Sequence, residues 1–291
     1  MNLILASDIF ITAIALIFLI FASITDIKKR EVPDWLSFSL LAIAFAVRII
    51  TSLLTHQANY FLSALLSFAI FFIIANIFYY GKLFGGGDAK LLIALSVAFG
   101  TIPSFITRMN FFAEPFLFTF TINIFVIGSL YSLISSIFLA AKNKKDFSNE
   151  FKNINKNKTM KIVKIFCIAA SALFLIASFF INNLTLLFFI FLIVPYLYVF
   201  VKAVENSSMI KILKPSELTE GDWLVNSLKI GKKEIKPSVH GLTKEQISLI
   251  KKAGKKVRIK YGLPFVPAIF IALIVSLAFG DLILLLINYL L

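Results

Sequence analysis

Long apolar runs recur along the whole chain, and they limit most strongly what it can fold into. Eight can be drawn, at residues 9–24, 35–54, 60–80, 89–102, 111–141, 165–181, 184–201 and 263–290. Most approach the roughly 20 residues that a helix needs to cross the bilayer core. Hydrophobic residues make up 59% of the 291 positions and charged residues only 15%. That balance excludes a disordered chain, a collagen and an ordinary soluble domain. The expected fold is an all-α polytopic membrane protein. It has about eight transmembrane helices and a small α+β cytoplasmic subdomain before the last helix.

The fourth run is short before Pro103 and is expected to extend toward Thr107. Pro115 near the start of the fifth predicts a kink or an interfacial first turn. Only Asn182 and Asn183 separate the sixth and seventh, so these two should form a hairpin. The first run has no basic residue before it and no small-residue cleavage pattern after it, unlike a cleaved signal peptide.

Lys and Arg outnumber Asp and Glu by 29 to 15. In a soluble protein this excess would point to nucleic acid; here its place along the chain decides. Lys28, Lys29 and Arg30 follow the first run, Lys82 and Lys90 flank the third-to-fourth connection, and two long stretches, 142–164 and 202–262, hold most of the rest. With eight spans, all four stretches fall on one side and carry 27 of the 29 basic residues, leaving only Arg48 and Arg108 near the other. The positive-inside rule makes the crowded side cytoplasmic and puts both termini outside. Membrane lipid is then the partner of these charges, and no nucleic acid is expected.

The implied organisation is five membrane helices in 1–141, a solvated basic loop at 142–164, a transmembrane hairpin at 165–201, a cytoplasmic subdomain at 202–262 and a final helix at 263–291. Within 202–262, residues 215–228 read as a short helix, and 228–235 and 257–261 as strands. Thr243 with Gln246 is a capping-box start and Gly254 a helix stop, so 244–253 should be helical. So small an element is expected to need the membrane surface or the helices as a wall for its core.

Chemistry is confined to few side chains. Cys167 is the only cysteine and lies in an apolar run, so no disulfide framework, paired-cysteine metal site or thiol redox motif is available. His56 and His240 are far apart in sequence. No cofactor or metal is expected. Asp8, Asp26, Asp88, Glu114 and Asp281 lie at membrane depth or its edge, where ionisable groups are costly and are functional candidates by default. Asp8, Glu114 and Asp281 fall near the outer face or at helix ends, where solvation or helix capping explains them. Asp26 ends the first span and Asp88 begins the fourth, both on the cytoplasmic side. Two carboxyls from different helices at one depth can face each other and hold one proton between them. The ionised member then takes a proton from water while the protonated one donates to a carbonyl oxygen, which is amide hydrolysis without a covalent intermediate.

Gly85, Gly86 and Gly87 immediately precede Asp88. Three residues without Cβ let extended substrate backbone approach the carboxyl, and irregular backbone suits a water-reached cavity. The same glycines also read as a hinge, with Asp88 as a helix cap, and Asp26 also reads as a helix-end partner of Lys28 or Lys29. Lys90 reads as a counter-charge that keeps an Asp ionised.

The run from Asp26 through Arg30, Pro33, Asp34 and Trp35, with Gly85-Gly86-Gly87-Asp88-Ala89-Lys90, resembles the archaeal prepilin and preflagellin peptidases, which are GxGD aspartic membrane proteases. Gly262 to Ala268, with Pro264 and Pro267, and the Gly221-Asp222-Trp223 patch are also similar to that family. The resemblance implies Asp26 and Asp88 as catalytic pair, Gly85 and Gly87 as motif glycines, and Gly86 at the variable position. It implies cleavage of the short basic leader of type IV pilin-like or archaellin precursors. The paired-cysteine region of many bacterial members is absent. Glu31, Asp34, Glu217, Glu220 and Asp222 are candidate acceptors for the leader's cations, or simply partners of neighbouring lysines.

Two other classes fit parts of the pattern. A presenilin or signal-peptide-peptidase type of intramembrane protease would carry its two Asp on adjacent late spans at mid-depth. An ion-coupled transporter with a Gly-broken helix would show a matching second break. Cysteines placed in 142–164 and in 202–262 are expected to be shielded from impermeant thiol reagents in intact cells. Labelling of the two stretches from opposite sides would overturn the hairpin between them.

Overall fold

The computed structural model describes residues 3–106, 115–181, 184–231 and 233–290; Arg108, Glu114 and the Asn182–Asn183 turn lie outside them. The chain divides into two compact units, Met1–Leu133 with Leu263–Leu291, and Ile134–Gly262.

The first unit is helical. It holds α1 (Leu3–Lys29), α2 (Asp34–Thr55), α3 (Ala58–Tyr80), α4 (Gly86–Ala98), most of α5 (Phe116–Lys142), α10 (Val266–Phe279) and α11 (Leu282–Leu290). On α1 the buried stripe runs Asp8, Ile11, Ala15, Leu19, Ala22, Asp26, a spacing of three or four that keeps one face of a helix inward. The stripe on α2 is Leu36, Leu40, Ala44, Arg48, Thr51, and that on α3 is Tyr60, Ala64, Ser67, Phe71, Ala75. Alanines in these stripes let backbones approach closely, which is what holds helices together where the surroundings are as apolar as the side chains. α4 is the centre: Leu91, Leu92, Ala94, Leu95, Ser96, Val97 and Ala98 are all buried, against α1, α2 and α3.

Among the described residues, six helices are long and apolar enough to cross a membrane: α1, α2, α3, α5, α7 (Lys158–Ser178) and α8 (Thr185–Val204) with its continuation to Met209. The expectation of eight is therefore not met by length. The fourth run yields only the 13 residues of α4, about 20 Å of helix against an apolar core of about 30 Å. The last run breaks at Gly280, which adopts φ 74°, into α10 and α11.

Helix ends that fall short need polar partners from the protein itself. Beyond the end of α4, Arg48 Nη2 donates to the Ala98 carbonyl at 2.6 Å and Nη1 to Thr101 Oγ1 at 2.7 Å. Its guanidinium lies 4.2 Å from the Tyr60 ring centroid and 3.7 Å from Asp8. Asp8 in turn accepts from Tyr60 Oη at 2.7 Å and from the Ser104 N–H at 2.8 Å. At the α10–α11 break, Asn123 of α5 donates to Ser276 Oγ and the Gly280 carbonyl, and accepts from the Leu282 N–H. Asp281 caps α11 by accepting from Ile283 and Leu284. Asp8 and Asp281 thus have structural work, while Arg48 is buried rather than solvated at an outer face.

In the second unit, the stretch expected as a solvated loop is instead a helix, α6 (Lys144–Lys156). Phe147 and Phe151 fall one turn apart and touch, and Phe147 also packs on Phe200 of α8. Amphipathic spacing outweighed the Lys/Asn-rich composition. α7 and α8 pack together as the expected hairpin, though α7 begins several residues earlier than drawn.

The rest of this unit is the α+β element. β5 (Val257–Lys260) is the centre of a three-stranded antiparallel sheet, between β1 (Ile210–Leu213) and β2 (Trp223–Leu224). β3 (Leu228–Ile230) and β4 (Lys233–Ile235) form a separate hairpin. The helix expected at 215–228 is only a 3₁₀ turn, Pro215–Glu217, followed by β2. The helix at 244–253 appears as read: α9 (Lys244–Ala253) is capped by Thr243 and stopped by Gly254 in the left-handed conformation. Leu218, Leu224, Ile235, Leu242, Ile247, Ile250, Val257 and Ile259 close a core of their own, so the element needs no outside wall. The Gly221-Asp222-Trp223 patch is a turn, where Asp222 accepts from the Thr219 N–H and a Cβ on Gly241 would strike the Gly221 carbonyl.

Arg48→Met is expected to destabilise the protein by roughly 3–5 kcal/mol, because it strands a buried carboxylate and a helix-end carbonyl. Adding Asp8→Asn to Arg48→Met should recover part of that loss, as measured by thermal unfolding of the detergent-purified protein.

Candidate active site

Asp26 lies on the buried stripe of α1, one turn before the helix ends. Its carboxyl forms no ion pair with Lys28 or Lys29; Oδ2 instead accepts the Val266 N–H at 2.9 Å, from the first turn of α10. The neighbouring Phe265 amide also bonds this carboxyl. α10 starts without a capping side chain of its own, since Phe265 holds the N-cap position and Pro267 lacks an N–H. Asp26 supplies the missing cap from another helix.

Asp88 occupies the first turn of α4, and its Oδ2 accepts the Gly85 N–H at 3.0 Å. The N-cap position is Gly85, so Asp88 is the returning member of a capping box rather than the cap itself. The helix-capping alternative is thus half realised, and it leaves Asp88 a second oxygen. Asp26, in the last turn of α1, and Asp88, in the first turn of α4, come to the same end of this unit, where the loop after α1 packs on α4 with Val32 against Gly87. α4 packs mainly on α2 and α3 and touches α1 only locally.

The three glycines differ in what surrounds them. None adopts a left-handed φ. A Cβ on Gly87 would lie 2.9 Å from Val32 Cβ, in the loop between α1 and α2. A Cβ on Gly86 would meet only the Tyr79 ring, at 3.5 Å, and one on Gly85 would lie 3.1 Å from Oδ2 of Asp88. Gly87 is therefore needed for α4 to pack on the loop that follows Asp26.

Lys90 pairs with Asp34 at 2.6 Å, so its counter-charge goes to Asp34, on a half-exposed surface where such a pair is worth little. Glu31 is exposed in the α1–α2 loop. In the second unit, Glu217 accepts from its own turn at Lys214, and Glu220 pairs with Lys244. Three of the proposed leader-binding acids, Asp34, Glu217 and Glu220, thus have local partners, as does Asp222. No group of three or more His, Cys, Asp or Glu comes together as a metal site among the described residues.

Residues 13–138 match the type IV leader peptidase family. That stretch, less than half of the chain, contains Asp26, Asp88 and all three glycines, and over it the chain is similar to that family. Neither a search of curated proteins nor one of solved structures found a significant match. The matched stretch ends well before α10, so the donors from Phe265 and Val266 come from outside it. Sequence reasoning noted the Pro264–Pro267 segment but assigned it no work. The signal was there: a proline pair opening an apolar run marks a helix start whose first N–H groups need an acceptor.

Gly87→Ala is expected to cost roughly 1–3 kcal/mol from overpacking on Val32. Adding Val32→Gly should recover most of it, while Gly86→Ala alone should stay within about 0.5 kcal/mol of the parent. Thermal unfolding of the four purified proteins measures this.

Proposed function

We propose that this protein is a membrane aspartic endopeptidase that removes the short basic leader of type IV pilin-like or archaellin precursors at the cytoplasmic membrane face. The observation that carries this reading is that the end of α1 with Asp26 and the start of α4 with Asp88 lie at one end of the helical unit, packed through Val32 and Gly87, within the stretch matching the leader peptidase family.

The pair shares one proton. The ionised carboxylate removes a proton from water as the water oxygen bonds to the scissile carbonyl carbon. The protonated carboxyl gives its proton to the carbonyl oxygen, producing a neutral gem-diol. The diol then collapses: the C–N bond breaks, the leaving nitrogen takes a proton, and a diol hydroxyl returns one to the pair. No covalent enzyme intermediate is needed. Gly86, the least crowded of the three glycines, lets substrate backbone approach Asp88, while Gly85 holds its carboxyl and Gly87 seats the turn on Val32, and Glu31 faces the leader's cations. The leader stays cytoplasmic for the same reason as the enzyme's own Lys-rich stretches.

The intramembrane-protease alternative places both acids in mid-span on late helices, whereas here they stand at the end of α1 and the start of α4. The transporter alternative gains a broken helix at Gly280, yet the adjoining Asp281 already caps α11.

Asp26→Asn and Asp88→Asn should each reduce cleavage of a pilin-like precursor at least a thousandfold at unchanged protein level. Asn keeps the size and can still accept a backbone N–H, but it cannot exchange the proton. Substantial cleavage by either variant would remove the two-aspartate mechanism.

A further inference from the structure

The supports of the two aspartates are joined through a pair of rings. Val266 donates to Asp26 Oδ2. The side chain of the preceding residue, Phe265, packs on Phe84 with centroids 5.2 Å apart. The residue after Phe84 is Gly85, whose N–H donates to Asp88 Oδ2. One continuous path therefore runs from carboxyl to carboxyl: Asp26, the Val266 amide, the Phe265 ring, the Phe84 ring, the Gly85 amide and Asp88. Phe84 is buried, and its other face is held by Phe78 at 5.2 Å.

The far side of the Phe265 ring rests on α5 where that helix has no side chain. A Cβ on Gly128 would lie 2.5 Å from Phe265 Cζ and 2.8 Å from Cε2. Glycine inside a helix is costly unless something needs the space, and here the ring takes it. Phe265 is thus in contact with both the Gly128 backbone position and the Phe84 ring.

We propose that Phe265, seated in the Gly128 notch and against Phe84, is the positioning residue that sets the spacing of the two carboxyls. This rests on Asp26 and Asp88 being the catalytic pair. Phe265 touches neither carboxyl through its ring; it acts through the backbone amides on either side. Displacing the ring shifts the start of α10 relative to the Gly85 turn, and so shifts Asp26 relative to Asp88. A pair that must share a proton across a short gap is sensitive to such a shift, since about 1 Å of misplacement can cost about a hundredfold in rate. The Phe265 ring is not among the groups assigned a substrate contact, so the loss is expected to fall on turnover.

The test is a double-mutant cycle in the full-length protein, reconstituted in lipid nanodiscs with a synthetic precursor bearing a basic leader, a Gly and an apolar helix. Gly128→Ala pushes on the ring; Phe265→Leu shortens the group that is pushed. Gly128→Ala is expected to lower kcat roughly ten- to a hundredfold at nearly unchanged KM. Phe265→Leu alone loses the contact with Phe84 and should also lower kcat. The double variant should retain at least about threefold more kcat than the product of the two single residual fractions, because the smaller side chain accepts the new methyl. Parent-like kcat in Gly128→Ala, or a double variant equal to the product of the singles, overturns the proposal. If Gly128→Ala does not accumulate as folded protein, Phe265→Ala removes the ring while keeping both backbone donors to Asp26 and adding no atom to the core. A fall in kcat at constant KM then supports the proposal, and parent-like kcat overturns it. A parent protein that leaves the precursor uncut, or that still cuts it as Asp26→Asn or Asp88→Asn, removes the two-aspartate reading and this inference with it.

Discussion

Where backbone is surrounded by apolar groups, every N–H and C=O must find a partner inside the protein, and the ends of short helices are where partners run out. The membrane unit meets this demand with a few buried polar side chains. Arg48 takes the carbonyl at the end of α4, Asn123 bridges the break between α10 and α11, Asp88 returns to the Gly85 amide, and Asp26 accepts from the start of α10. The helices around α4 are arranged so that these contacts can be made. Had α4 been long enough to cross unaided, Arg48 would have had no carbonyl to reach.

The same demand places the reactive groups. Asp26 and Asp88 each have one oxygen engaged by a backbone amide. That engagement is structural, since it completes a helix start, and it also fixes one oxygen of each carboxyl. Hydrolysis by a carboxyl pair needs little else from the protein beyond geometry and access for water. A site of this kind is stabilising and functional through the same bonds, and a change that loosens one loosens the other.

The α+β element of the second unit follows different rules. Its sheet and α9 close a small aliphatic core of the ordinary soluble kind, and its acids and lysines form local pairs and caps. The basic excess of the chain is concentrated there and in α6, which has no buried residue. The leader-binding role first considered for Glu217, Glu220 and Asp222 loses force once their bonds to Lys214, Lys244 and Thr219 are seen.

Local pattern alone determined a good deal. The apolar runs announce a helical membrane protein, Thr243, Gln246 and Gly254 delimit α9, and Gly85-Gly86-Gly87-Asp88 with Asp26 marks the candidate pair, because composition, capping and turn chemistry are properties of neighbouring residues. Length in the membrane was less legible: the runs ending near Pro103 and Leu290 look like spans, yet yield α4 and the broken α10–α11, since a helix ends where a polar partner can receive it. Phe147 and Phe151 were present in the Lys-rich stretch, but their helix shows only when the heptad spacing is weighed above the charge. What tertiary structure alone decided is the contact between distant segments. Gly87 is small because Val32 is there, Gly128 because Phe265 is there, and Asp26 is held by Val266 from the other end of the chain. Such pairings depend on which helix faces which, and that is settled by the packing of whole helices.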